Sequence, residues 1–343
     1  MSARMIVDVQ NHVLPVSAIG DAVGVGIVDL SSTPPAIRYH GTSFASPPDF
    51  LDVQLHIQVC KEAGLTHVML HQAMLATVAN DVLGMTTVDA SRMHNDFVAL
   101  LRDQYPDLVF PYGTVKPHDG ISAVKEAERC VDELGFRALA VDTSYGVTDR
   151  VFLHTPETLE FWEFVNDREI PVYVHPSMLP YGWEWMDRFK FEETVGRPAE
   201  TALCVSFMMM SGLFDRFPKL RIILAHMGGG LMMCLPRLRF AHRLGYEGML
   251  EFQKPKNKLE PMEYVRENIW VDTMGFDAAG IKHAIEVFGL GHVLLGTDYG
   301  PIPISPREHI DIVCDELGLS VAEQDRILGL NAKELFDLPD PPG

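Results

Sequence analysis

The feature that most constrains this chain is an alternation. Short apolar runs at residues 6–9, 67–70, 109–113, 138–141, 172–175, 222–225, 269–272 and 293–297 read as β-strands. Between most of them lie longer segments with apolar residues at helical spacing: 52–63, 89–104, 120–134, 156–167, 198–217, 261–266 and 278–288. A last helical pattern, 321–338, closes the chain. Alternating strands and helices predict a parallel sheet with crossover helices. Eight such units predict an α/β fold of the (β/α)8 TIM-barrel type, one domain spanning residues 1–343. A doubly wound sheet would be expected to carry a glycine-rich turn after its first strand, and here that strand runs into NHVLP. Two stretches are too long for plain connections. Residues 15–48, after strand one, are expected to form a lid or small subdomain over the mouth, and 177–195, after strand five, a second insertion.

In a barrel of this kind chemistry gathers at the C-terminal ends of the strands. Strand one ends in Gln10-Asn11-His12, strand five in VYVHPS with His175, strand six in IILAHMGGG with His226, and strand eight in VLLGTDYGP with Asp298. Each residue alone has an ordinary structural explanation: a hydrogen-bonding histidine, a turn-capping aspartate. Three histidines and an aspartate at one edge of four strands are harder to explain that way. Two imidazoles and a carboxylate from strands one, five and eight are a common metal-ligand composition. Gln10 and His12, two residues apart on an extended segment, share one side. A metal-binding pair there would be natural if Gln10 were His or Glu. Its amide is neutral and weakly basic, a poor ligand.

Charge narrows the partners. With 28 Lys and Arg against 47 Asp and Glu the formal net charge is −19, which speaks against nucleic acid and anionic membrane surfaces. No apolar run is long enough for a membrane span, and no basic-then-apolar leader is visible, so a cytoplasmic location is expected. The five scattered cysteines, with no CxxC, read as reduced thiols.

Five stretches carry a family resemblance: IVDVQNHVLP, FWEFVNDREIPVYVHPS, RPAETALCVSFMMMSGLFDRFPKLRIILAHMGGG, VLLGTDYGP and ILGLNAKELFDL. Together they resemble the amidohydrolase superfamily, in its branch of aminocarboxymuconate-semialdehyde decarboxylase-like proteins. The resemblance runs from one end of the chain to the other. It implies one divalent metal ion, zinc in the first place with manganese or iron as alternatives. It implies Gln10, His12, His175 and Asp298 as the metal-binding positions, and His226 as an acid/base or polarising residue beside the ion. The family's decarboxylases also have an arginine eleven residues after that histidine, a spacing met by Arg237, which can reach the site of a neighbouring subunit in a homodimer. The sequence departs from the family pattern at Gln10, where the family has His or Glu.

Three functions fit these residues. The first is decarboxylation of a small aromatic or enoic carboxylic acid, with His226 or Asp298 delivering a proton to the carbon that loses CO₂. Arg237, Arg188 in the strand-five loop and Arg38 in the first long loop are candidates to orient the carboxylate. The second is hydrolysis of a C–C, lactone or amide bond by metal-activated water, with Asp298 taking the proton. The third is a non-catalytic binding protein on the same scaffold, for which Gln10 is the one sequence argument. His71 after strand two and Trp183, in an aromatic group with Tyr181, Trp185 and Phe189, are further candidates to line the mouth against a flat substrate.

Overall fold

The computed structural model describes residues 4–14, 28–33, 35–39, 42–71, 73–147, 149–186, 188–245 and 250–342. The expected strands form, and they form in order. They are β1 Val7–Asn11, β2 His67–Leu70, β3 Val109–Pro111 continued by Gly113–Thr114, β4 Leu139–Asp142, β5 Pro171–His175, β6 Arg221–Leu224, β7 Ile269–Asp272 and β8 Val293–Leu294. Each pairs in parallel with its successor. The ring closes from β8 back to β1 through Val9 N–H to Leu295 O and Asp298 N–H to Gln10 O, at 2.9 and 2.8 Å.

Both faces of these strands are buried, which explains their near-continuous apolar sequences. Val7, Val9, Met69, Tyr112, Ala140, Tyr173, Ile223 and Leu294 point inward and fill the barrel. The closing helix Asn331–Phe336 plugs the N-terminal end with Leu335 and Phe336. Among the described residues, that leaves the C-terminal end for a site. The outward residues pack under the surrounding helices, many of which start on side-chain caps. Asp52 accepts from Gln54 N and Leu55 N, and Asp277 from Ala279 N and Gly280 N.

Two helical expectations are modified, and one further helix forms where the pattern predicts none. The segment expected at 198–217 breaks at Gly212, whose φ of 81° ends Arg197–Met210 before Leu213–Arg216 begins. The closing helix widens over Arg326–Leu330, where Gly329 lies so close to Met5 O that a Cβ would sit 2.6 Å from it. Leu231–Leu244 is helical although the sequence pattern did not mark it, because Pro236 and its charged neighbours interrupt the apolar period.

The first insertion lies in part, residues 15–27, 34 and 40–41, outside the described residues. Its remainder builds a small antiparallel sheet of Val28–Asp29, Ala36–Tyr39 and Thr42–Ala45. Ile37 and Tyr39 pack there with Leu14, Phe50, Leu51 and Leu75, and with Met178 and Leu179 of the second insertion. Among the described residues, no helix is long and apolar enough to cross a membrane.

Candidate active site

The strand-end residues converge. One ligand atom each from His12, His175 and Asp298 lies within 4.8 Å of the others. His12 Nε2 is 3.0 Å from Asp298 Oδ1, and His226 Nε2 is 3.4 Å from Asp298 Oδ2. The rings of His12 and His175 are 5.2 Å apart, and those of His175 and His226 5.9 Å.

The donor set suits a cation. His12 Nδ1 lies 2.6 Å from His71 O, and His175 Nδ1 2.8 Å from Pro176 O. Carbonyl oxygens only accept, so both Nδ1 atoms carry a proton, and in a neutral ring Nε2 is left with the lone pair that a cation needs. Burial, reinforced by the charges of His12 and His226, pushes His175 well below the usual imidazole value. Burial opposes the charge on Asp298, yet the neighbouring His12 and His226 outweigh it and hold the carboxyl well below its usual range. With its ring neutral, His12 would face the Asp298 carboxylate oxygen lone pair to lone pair at 3.0 Å; a proton on Nε2, which is what holds the carboxyl low, or a cation relieves that repulsion. A divalent ion held by His12, His175 and Asp298 would answer that need. Backbone carbonyls fixing the ring tautomers are the usual outer support of such ligands.

Gln10 stands differently. Its Nε2 is 2.9 Å from His226 Nε2, and its Oε1 is buried without a partner among the described residues. Exchanging the amide O and N would let Oε1 accept from His226 N–H. In either orientation the amide is a hydrogen-bonding neighbour of His226.

Two buried acids hold this floor in place. Asp8, in β1, accepts from Gln10 N, Asn11 Nδ2, Thr297 N and Thr297 Oγ1 at 2.6–3.1 Å, tying β1 to the segment that bears Asp298. Asp272, at the end of β7, accepts from the backbone N–H groups of His226, Met227 and Met274 at 3.0–3.1 Å and from Tyr173 Oη at 3.2 Å. Burial raises both carboxyls to about 6 against these donors. The backbone they support is strained. His226, Met227 and Asp298 have φ of 57°, 53° and 54°, a region most side chains avoid. Gly300 follows at φ 122°, where a Cβ would strike His12 O.

Above the floor lies a cavity of about 650 Å³. Its floor is polar, with His12, His175, His226 and Asp298; Phe50, Met178, Met227, Met274, Phe276 and Ile302 contribute apolar walls. Arg197 and Lys190 line it as well, and the charge of Arg197 is felt at His175. Neither cation stood out in the sequence. Arg197 sits at the start of a helix and Lys190 in a loop, where charged residues are ordinary.

The remaining candidates fall elsewhere. Arg38 pairs with Asp29 at 2.9 Å on the antiparallel sheet and does not line the cavity. Arg188 and Trp183, in the strand-five loop, are not on its wall either. His71 is fully buried beneath the floor, its ring 5.4 Å from that of His175, and it touches the site through the carbonyl that receives His12. Arg237 is exposed on Leu231–Leu244, away from this chain's own cavity.

A parallel eight-stranded barrel with two imidazoles and a carboxylate at the ends of strands one, five and eight defines the metal-dependent hydrolase and lyase barrels. Within that class, the amidohydrolase family model matches residues 7–338, and the chain belongs to the amidohydrolase family. It is 31% identical over 265 residues to a gamma-resorcylate decarboxylase of Rhizobium sp. (strain MTP-10005), covering 73% of this chain and 77% of the relative. It is 26% identical over 251 residues to a 2-amino-3-carboxymuconate-6-semialdehyde decarboxylase of Dictyostelium discoideum, covering 73% and 67%. The fold matches a dihydroxybenzoic acid decarboxylase from Polaromonas sp. JS666, solved with manganese and the inhibitor 2-nitroresorcinol. That match has a TM-score of 0.77 and 24% identity, over 98% of this chain and 97% of the other.

Proposed function

We propose that this chain is a metal-dependent decarboxylase of a small aromatic carboxylic acid bearing an adjacent hydroxyl. The observation that carries the reading is the floor itself. Two imidazole lone pairs and a carboxylate converge beside His226, under a partly apolar cavity wide enough for a substituted ring. The names of its relatives point to the same chemistry.

His12, His175 and Asp298 would hold the ion, zinc or manganese, which would supply Lewis-acid charge towards the carboxylate and adjacent oxygen of the substrate. His226 Nε2, kept in place by Gln10 and Asp298, delivers a proton to the ring carbon. The C–C bond to the carboxylate then breaks, its electron pair stays with the ring, and CO₂ leaves. Gln10 in this reading positions His226. Arg197 gives the acid an electrostatic guide into the cavity, and the apolar wall keeps water from the reacting ring carbon.

The assembly is a homodimer in a reducing, cytoplasmic setting. Met233, Arg237, Phe240 and Leu244 lie on one exposed stripe of Leu231–Leu244, spaced for a helix face. A partner seated there would cover the three apolar side chains and bring Arg237 towards a neighbouring cavity.

The test is CO₂ release from a panel of hydroxybenzoic acids by protein loaded with Mn²⁺ or Zn²⁺. Release of one CO₂ per acid consumed is expected. Intact acids, with lactones opened instead, would replace this reading by hydrolysis.

A further inference from the structure

The substrate cavity has a neighbour. A second cavity of about 210 Å³ lies beside it, lined among others by Thr77, Asp81, Lys116, Asp142, Tyr145 and Arg150. Asp142 and Met178 line both. Asp142 ends β4, and its Cα partner across the ladder is His175, so it stands next to the proposed ion site on the same inner layer. Its backbone N–H goes to Tyr145 Oη at 2.9 Å. Its carboxyl has no hydrogen bond or ion pair to any described residue; burial first, then the charges of Glu200 and Asp81, push it up to about 8 against Arg150 and Lys116.

The chamber is built rather than left over. Arg150, almost fully buried, bonds Ser144 Oγ at 2.8 Å, Ser177 Oγ at 3.1 Å, Glu200 Oε2 at 3.4 Å and the Leu179 carbonyl. Glu200 in turn accepts from the hydroxyls of Thr143, Ser144 and Ser177. Lys116 Nζ lies 5.5 Å over the Tyr145 ring. Thr114 Oγ1, also on the wall, is buried with no partner among the described residues. A rigid polar wall with unused acceptors is suited to a polar group that enters from the larger cavity. Met178, unbranched and adaptable, is the side chain that must give way.

We infer that the second cavity is a side chamber of the substrate site, taking an arm of the acid that ends in a hydrogen-bond donor, a hydroxyl or an ammonium, received by a carboxyl oxygen of Asp142. The inference rests on the decarboxylase reading for the identity of the acid, but not for the existence of the chamber. It makes Asp142 a specificity residue and turns the substrate class from a bare hydroxybenzoate into one with a polar side arm.

The test compares 2-hydroxybenzoic acids carrying a 2-hydroxyethyl or 2-aminoethyl arm with the isosteric propyl acid. Both kcat/KM and the dissociation constant by calorimetry are measured, on wild type, Asp142→Ala and Thr77→Trp, which fills the chamber. Wild type is expected to prefer a donor arm over propyl by about ten-fold or more, the scale of one buried hydrogen-bonding group left unpaired. In both variants the preference should shrink to within about three-fold. Each preference is a ratio on one preparation, so loss of folded protein cannot imitate the result. Equal handling of all arms by wild type would overturn the inference, as would a preference that survives both variants. If no acid loses CO₂ the decarboxylase reading fails separately, and the calorimetric ratios still decide the chamber.

Discussion

The barrel floor and the two insertions above it are built on different principles. On the floor each functional side chain is fixed twice, once by its strand and once by a buried partner. Asp8 ties β1 to the Asp298 segment, and Asp272 clamps the strained turn at His226. The strand-five insertion instead leaves Tyr181, Trp185 and Phe189 largely in solvent, Trp185 at 84% exposure. The first insertion contributes a three-stranded sheet whose cation, Arg38, faces outward to Asp29. The difference separates the clamped floor, where substrate is bound and turned over, from its periphery. A reaction needs atoms held to fractions of an ångström, whereas side chains left in solvent can be exchanged at little cost to the fold.

Substitutions on either side should break or sharpen that contrast. The largest effect is expected at His226→Asn, which keeps a polar group of similar reach but cannot shuttle the proton. The kcat for decarboxylation should fall by about 10²–10⁴, the span of a general acid, with an unchanged urea midpoint. A fall of less than about three-fold would move the proton delivery to another residue. Next comes Asp272→Asn. The amide would place N–H groups against backbone donors now satisfied by a carboxylate, costing about 2–4 kcal/mol of unfolding free energy by urea denaturation. Activity should be lost with it, because the His226 turn is no longer held. The smallest effect is expected in the insertion. Trp185→Ala and Phe189→Ala should each change stability by no more than about 0.5 kcal/mol. A loss of several kcal/mol there would mean that the insertion is clamped as the floor is.

How much of this was legible in the sequence follows the same division. The strands could be read because burial on both faces leaves short apolar runs bounded by turns. His12, His175, His226 and Asp298 could be read because a barrel directs its strand ends to one face. Arg197 could not, since a cation beginning a helix looks like any solvated one until the cavity is built. Arg38, Arg188 and Arg237 show the converse: an arginine in a mouth loop, or at a family spacing on a helix, is easy to nominate, but only geometry shows what it faces. Asp8 and Asp272 lie inside or at the end of apolar strands. A buried acid there signals a hydrogen-bonded clamp, yet the donors it serves come from segments distant in sequence, such as Thr297 for Asp8. Gln10 was legible as a departure from the family pattern. Its contact with His226 depends on the two strands meeting across the floor.

The metal content of the purified protein tests the central claim most directly. Elemental analysis would be made on wild type and His175→Ala, both prepared without chelators or metal-binding tags. The account predicts close to one divalent ion per chain in wild type and its loss in His175→Ala, with the fold retained by circular dichroism. A wild type without metal, or a metal content indifferent to His175, would contradict it.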